Sequence, residues 1–253
     1  MPESTPITPP PFPPNYNQSH EEPLTDAERA PIRGFSGTIE ALLRRPRGLL
    51  NALAQEEGNG MLVILVLAAS ACALLYGLVV GAFSGGVQYY AAPLKIAGGL
   101  LVSAALCLPS LYVFGCLSGS TARIRDAVRM LAGTLALALI LLFSFAPVAW
   151  VFSQSTNSVG VMGLFHVVFW LVAISFGGRF LLRGMRRAGA RSEGAFYVWL
   201  VLFVLVSLQM ATALRPIVGT APMWLPKEKK FFMAHWAASF EEPTKPGETR
   251  PQQ

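Results

Sequence analysis

One stretch of this chain, residues 58–226, is almost free of ionisable side chains, and this constrains the fold more than any other feature. The protein has 20 basic and 14 acidic residues, yet only twelve of them fall in these 169 positions. Charged residues make up 13% of the chain, against about 25% in an ordinary soluble domain. A water-covered surface of this size needs more charge. The sequence therefore excludes a soluble globular enzyme, a disulfide scaffold and a disordered chain, and predicts a polytopic membrane protein.

The uncharged runs set the number of spans. They cover residues 58–94, 96–122, 130–178 and 194–214. A helix needs about 20 apolar residues to cross the hydrocarbon core, so the third run is long enough for two spans, divided by the polar cluster at 153–158. The runs are continuous and rich in Leu and Ala, without the alternation of a barrel strand. We predict an all-α bundle of about five transmembrane helices within residues 58–215, at about 61–83, 96–117, 130–152, 161–182 and 195–214.

The basic residues predict the orientation. Eleven arginines lie before the first span or near the second and fourth connections between spans, whereas the alternate connections hold only Lys95. Loops rich in Lys and Arg stay in the cytoplasm. We therefore predict a cytoplasmic N-terminus and an outer C-terminus, in a plasma membrane and specifically a bacterial inner membrane.

The two ends of the chain differ from the middle. Residues 1–34 form a Pro-rich arm that we predict to be disordered. Residues 35–57 have the apolar spacing of amphipathic helices. We predict that they lie in the interface, with Arg44, Arg45 and Arg47 toward the phosphates of an anionic inner leaflet; the alternative is a soluble helix covering the cytoplasmic ends of the bundle. Residues 216–253 are predicted to be a second interfacial segment and a tail.

The spans lack the side chains that membrane catalysis and ion coupling need. The only carboxylates between residues 58 and 226 are Asp126 and Glu193, both predicted in inner loops. This argues against a transporter that uses a buried carboxylate and against an intramembrane protease. The three cysteines show no metal-ligand spacing. We predict no catalytic, cofactor or metal site. The possible polar site consists of His166, Ser110 and Tyr112.

Small residues and prolines predict how the helices pack. Glycines four residues apart let two helix backbones approach closely in lipid, within one chain or at a homo-oligomer seam. The glycines predicted to have this role are Gly77, Gly81, Gly85, Gly115 and Gly119. Proline inside a helix removes a hydrogen bond, and we predict kinks at Pro109 and Pro147.

Three segments resemble a family of small bacterial polytopic membrane proteins. They are residues 76–86 (YGLVVGAFSGG), 108–112 (LPSLY) and 143–148 (FSFAPV), and the resemblance covers roughly residues 35–190. Some members are labelled actin-binding after a short basic motif, whose nearest match here is Leu43-Arg44-Arg45-Pro46. The plan of five spans is also similar to the Yip family of Rab-interacting membrane proteins. Neither resemblance implies catalytic residues.

Three functions are compatible with these features. The first is a non-enzymatic membrane scaffold or accessory subunit, whose basic inner face contacts anionic lipids and other membrane proteins or a second copy, but no nucleic acid. The arginines predicted to make those contacts are Arg44, Arg45, Arg47, Arg183, Arg186 and Arg187. The second is a passage protein for a lipid or neutral solute near Pro109, Ser110 and Tyr112. The third is a membrane enzyme that uses His166.

Overall fold

The described part of the chain is helical. The computed structural model describes residues 25–55, 58–84, 88–155 and 159–213, and these ranges contain no strand. Predictions about the arm before residue 25, the polar residues 156–158, Gly85 and the segment after residue 213 lie outside the described residues. The helices are α1 Asp26–Arg29, α2 Gly34–Arg44, α3 Pro46–Ala54, α4 Gly58–Ser84, α5 Gln88–Leu117, α6 Ile124–Ser144, α7 Ala146–Ser155, α8 Val159–Arg187 and α9 Gly194–Ala213.

Five of these helices, α4, α5, α6, α8 and α9, are long and apolar enough to span a membrane. This confirms the predicted all-α bundle with five candidate spans. Two of the five predicted starts differ by six residues or more. Helix α5 begins at Gln88 and not near residue 96, so Lys95 lies inside it and is only 7% exposed. Helix α6 begins at Ile124 and so includes Arg129. The predicted spans stop at charged residues, but a helix satisfies its own backbone hydrogen bonds and continues through them.

Helix α6 is the centre of the bundle. In the apolar segment of 18 residues that would cross a membrane, 67% of α6 is buried, against 22–39% for the corresponding segments of the other four helices. It packs mainly on α4 and α8, while α5 packs on α4 and α9. The lower burial of the outer helices leaves many large apolar side chains exposed, as expected for surfaces that face lipid.

The third predicted span is not one helix. Helix α6 ends at Ser144 and α7 begins at Ala146, so the helix is interrupted at Phe145. Pro147 is the second residue of α7, where its missing N–H would have no helical acceptor in any case. The predicted kink at Pro147 is therefore a break between two helices. By contrast, α5 continues through Pro109 and through Pro93, which the sequence pattern did not single out.

The amphipathic helices α2 and α3 pack on the bundle. Leu49, Leu50 and Leu53 of α3 are at most 3% exposed and belong to the same core as the spanning helices. Helix α3 contacts α4, α6 and α8 at one end of the bundle. The apolar face of α3 is thus used within the protein, which agrees with the alternative prediction of a helix that covers the ends of the bundle.

Candidate functional site

The candidate site is the end of the bundle where α4, α6 and α9 begin and where α5 and α8 end, which we call the basic end. Two short connections form part of it. In the first, residues 118–123, the N–H of Ser120 donates to the carbonyl of Gly115 and the N–H of Gly119 donates to that of Cys116, both at 3.0 Å. This pair of bonds is a Schellman motif, which needs a left-handed residue after the helix. Gly119 has φ +79°. Gly119, predicted on a helix-packing face, lies instead in this turn.

The second connection, residues 188–193, repeats the first. The N–H of Ala190 donates to the carbonyl of Met185 at 3.0 Å, and the N–H of Gly189 donates to that of Arg186 at 2.9 Å. Gly189 has φ +89°. The same turn, of the same length, therefore ends α5 and α8.

The two connections are hydrogen-bonded to each other. The N–H of Thr121 donates to the carbonyl of Ala188 at 2.7 Å, and the N–H of Arg191 donates to the carbonyl of Ser118 at 2.8 Å. The two bonds are equivalent under a shift of 70 residues, because Thr121 corresponds to Arg191 and Ser118 corresponds to Ala188. The helices that flank the two connections also pack across them, α5 on α9 and α6 on α8. The paired connections thus hold four helix ends in one fixed unit.

Arg129 connects α3, α4 and α6 beside this unit. Its side chain is 2% exposed, and its guanidinium donates to the carbonyls of Leu53 and Gln55, at 2.7 and 3.0 Å, and to Oδ1 of Asn59, at 2.7 Å. The carbonyls at the C-terminal end of α3 have no intrahelical partner, and a cation there is favourable. Gly58 makes room for the guanidinium, because a Cβ at this position would lie 2.6 Å from the Leu53 carbonyl oxygen and 3.1 Å from the guanidinium. The sequence pattern marks Arg129 only as one of eleven basic residues.

Most other arginines of the basic end are exposed. Arg186 forms an ion pair with Glu193, and the Arg187 guanidinium donates to the carbonyl of Arg47 at 3.2 Å, which joins α8 to α3. Arg45 and Arg187 are partly buried. The exposed arginines at or near this end are Arg44, Arg47, Arg123, Arg125, Arg183, Arg186 and Arg191. The structure thus divides the predicted basic residues into those that fix the fold and those that face outward.

The predicted packing glycines have different environments. A Cβ on Gly77 would lie 2.4 Å from the Cα of Pro93, so this glycine allows the close approach of α4 to α5. Gly81 is buried in α4. Gly115 lies near the basic end. A Cβ on it would be 4.0 Å from the nearest atoms, Sδ of Met185 and Cβ of Ser120, so this position has room for a side chain.

The closest contact between α6 and α8 depends on other glycines. A Cβ on Gly177 would lie 2.7 Å from the carbonyl oxygen of Thr134, and one on Gly184 would lie 2.9 Å from Sδ of Met130. Gly133 has a similar constraint against Phe180. The search for glycines four residues apart missed Gly177 and Gly184, because these two are seven residues apart in α8.

The three residues of the predicted polar site have separate surroundings. Ser110 of α5 donates its hydroxyl to the carbonyl of Cys107 at 2.8 Å, and the indole N–H of Trp199 in α9 contacts both groups, at 3.2 and 3.0 Å. Trp199 is 1% exposed. Tyr112 lies on an exposed face of α5. The indole therefore joins α9 to the segment beside Pro109.

His166 of α8 pairs with Tyr76 of α4. The hydroxyl of Tyr76 and Nδ1 of His166 are 2.6 Å apart, and the two rings meet edge to face. Nε2 of His166 is buried and has no hydrogen-bond partner among the described residues. The pair links α4 to α8. Within the described ranges, no second histidine or cysteine joins it to form a group of metal ligands.

Comparison with known proteins identifies no relative of this chain. No family model matches the chain, and neither a curated protein nor a solved structure gives a match.

Proposed function

We propose that this protein is a non-enzymatic integral membrane scaffold or accessory subunit, and that partner proteins bind its basic end on the cytoplasmic side of a bacterial inner membrane. The orientation rests on the eleven arginines that precede the first span or lie near the second and fourth connections, since loops rich in Lys and Arg stay in the cytoplasm.

One observation carries the proposal, namely that the exposed arginines stand on a fixed support. Arg123 and Arg191 belong to the two connections that are hydrogen-bonded to each other, and Arg125 lies in the first turn of α6. A surface that is ordered before binding loses less entropy when a partner binds. Exposed arginines on such a surface favour a partner with an acidic segment, because charge complementarity increases the association rate and excludes other partners.

The passage function has weaker support. Trp199 already engages the Ser110 hydroxyl and the Cys107 carbonyl, so these groups need no solute as a partner. The aromatic contact favours a packing role for this segment.

The experiment is purification of the full chain in mild detergent, followed by identification of the proteins that remain bound. A triple variant, Arg123→Gln, Arg125→Gln and Arg191→Gln, should lose the partner and keep the fold, because all three side chains are exposed. The matched control is Lys227→Gln, Lys229→Gln and Lys230→Gln, which removes the same charge from the predicted opposite side.

Loss of the partner in the arginine variant alone supports the proposal. Equal retention in both variants, or equal loss, would contradict the role of the basic end. Circular dichroism and the elution volume of each variant would establish that the fold is unchanged.

A further inference from the structure

Helix α2 has three faces where a helix on the surface of a soluble protein has two. Its buried face consists of Thr38, Ala41 and Leu42, which are at most 1% exposed. A second face is apolar and open at both ends: Phe35 is 58% exposed and Leu43 is 48% exposed, and the partly buried Ile39 lies between them. The third face is polar, with the side chains Ser36, Glu40 and Arg44.

The angles between these faces follow from the helix period of about 100° per residue. Phe35, Ile39 and Leu43 lie four residues apart and therefore cover a sector of about 80°. Each residue of the polar face follows one of these by one position, so the polar sector is rotated by about 100° from the apolar one. The buried sector lies on the other side of the apolar stripe. An arrangement of protein, apolar phase and water around one helix is typical of a helix that lies in a membrane interface.

The position of α2 in the fold brings this stripe to the surface of a bilayer. Helix α2 contacts α4 and α6, and only Arg45 separates it from α3. Arg129 links the C-terminal carbonyls of α3 to the first turn of α4, through Asn59, and to the second turn of α6, where Arg129 itself lies. Both α4 and α6 are candidate spanning helices. Helix α2 is therefore held at the level where the spanning helices leave the hydrocarbon.

The charges beside the stripe identify the kind of surface. Arg44 ends α2, and Arg47 follows in the first turn of α3; both side chains are exposed. Glu40 is the single acidic residue of α2. Juxtamembrane arginines are attracted to anionic lipid headgroups. An anionic leaflet thus complements both the apolar stripe and its basic border.

We propose that α2 inserts its stripe of Phe35, Ile39 and Leu43 into an anionic leaflet, where Arg44 and Arg47 contact lipid phosphates. This inference requires only that the five long helices span the bilayer and is independent of partner binding at the connections. It assigns α2 to lipid, whereas the leucines of α3 belong to the protein core.

Site-directed spin labelling of the full chain in vesicles tests the proposal. After replacement of Cys72, Cys107 and Cys116 by serine, single cysteines are introduced at positions of the stripe, Phe35→Cys, Ile39→Cys and Leu43→Cys. The matched controls are Ser36→Cys and Glu40→Cys, one position away. In vesicles of phosphatidylcholine and phosphatidylglycerol, the stripe labels should contact oxygen rather than a water-soluble nickel complex, at a depth of about 5–10 Å. The control labels should show the reverse.

Further measurements decide between lipid and other occupants of this face. The double variant Arg44→Gln and Arg47→Gln should make the label at position 39 shallower in anionic vesicles and leave it unchanged in vesicles of phosphatidylcholine alone. Nickel accessibility of the stripe labels equal to that of the controls would overturn the proposal. Spin–spin broadening between stripe labels, which would indicate a second copy on this face, would also overturn it, as would shielding that is lost when residues 1–24 are deleted. Loss of the partner protein leaves the label depths unaffected, so the two proposals fail separately.

Discussion

Replacement of Arg129 by glutamine removes a buried side chain that connects α3, α4 and α6. The guanidinium makes hydrogen bonds of 2.7–3.0 Å to two carbonyls at the end of α3 and to the side chain of Asn59. Among the described residues, the nearest carboxylate oxygen is that of Asp126, 3.9 Å away, so the hydrogen bonds contribute more than this ion pair. Glutamine is shorter and can replace at most part of this set.

The magnitude follows from the number of bonds. A hydrogen bond to a charged group contributes about 1.5–3 kcal/mol net. Water can reach part of the vacated carbonyl sites, because the residue lies at the end of the bundle, and one bond can re-form with glutamine. We therefore expect a loss of about 3 kcal/mol in the free energy of unfolding, or about a 100-fold change in the unfolding equilibrium. Arg129→Lys should lose less, since an ammonium group can keep one or two of the acceptors.

Unfolding in mixed micelles with increasing sodium dodecyl sulfate, followed by circular dichroism, measures this free energy. Hydrogen exchange of the α3 amides gives the local effect, which should be faster exchange in Arg129→Gln. The control is Arg125→Gln, one turn earlier, whose side chain is 50% exposed and whose loss should cost less than about 0.5 kcal/mol. If Arg129→Gln and Arg125→Gln unfold alike and α3 exchanges as in the parent, the anchoring role of Arg129 is wrong.

Three other substitutions test contacts inside the bundle by the same unfolding measurement. Gly77→Ala should cost about 1–3 kcal/mol, because the added methyl overlaps the backbone of α5, whereas Gly98→Ala, with no atom within 4 Å of its Cβ, should be neutral or slightly stabilising; equal effects would contradict the close approach of α4 and α5. Tyr76→Phe removes the partner of His166 and should cost about 0.6 kcal/mol and no more than about 1.7 kcal/mol, as for other hydrogen bonds between spanning helices; a loss of several kcal/mol would mean that the pair does more than join two helices. Trp199→Phe removes the indole donor between α9 and α5 and should cost about 1–2 kcal/mol; an unchanged free energy would show that this bond is not formed.

The number of spans was predictable, and the exact helix ends were not. The long uncharged runs require lipid, and lipid requires helices that satisfy their own backbone, so five candidate spans follow from the sequence. The ends were misplaced where a charge lies inside a helix, at Lys95 and Arg129. The free energy that a charged side chain contributes at a helix end depends on the groups that surround it. Only the packed structure shows which groups these are.

The paired connections show why the site was only partly predictable. Segments 115–128 and 185–198 share just Gly119/Gly189 and Val128/Val198 at matched positions. The turns are alike because they are formed by hydrogen bonds between backbone groups. Such bonds place few requirements on the side chains, so the two segments need not have similar sequences. The glycine with positive φ is the one required residue, since other side chains are disfavoured in that conformation.

The sequence by itself predicted three properties of this protein: a lipid environment, the number of candidate spans and the position of the arginines at alternate connections. Each of these depends on hydrophobicity and charge summed along the chain. Only the tertiary structure decided which arginine is buried and which glycines bring helices together. It also decided that α3 turns its leucines inward, whereas α2 leaves Phe35 and Leu43 exposed. The two helices have similar amphipathic patterns, and a pattern gives the existence of an apolar face but not its neighbour. That neighbour is fixed by the packing of residues distant in the chain.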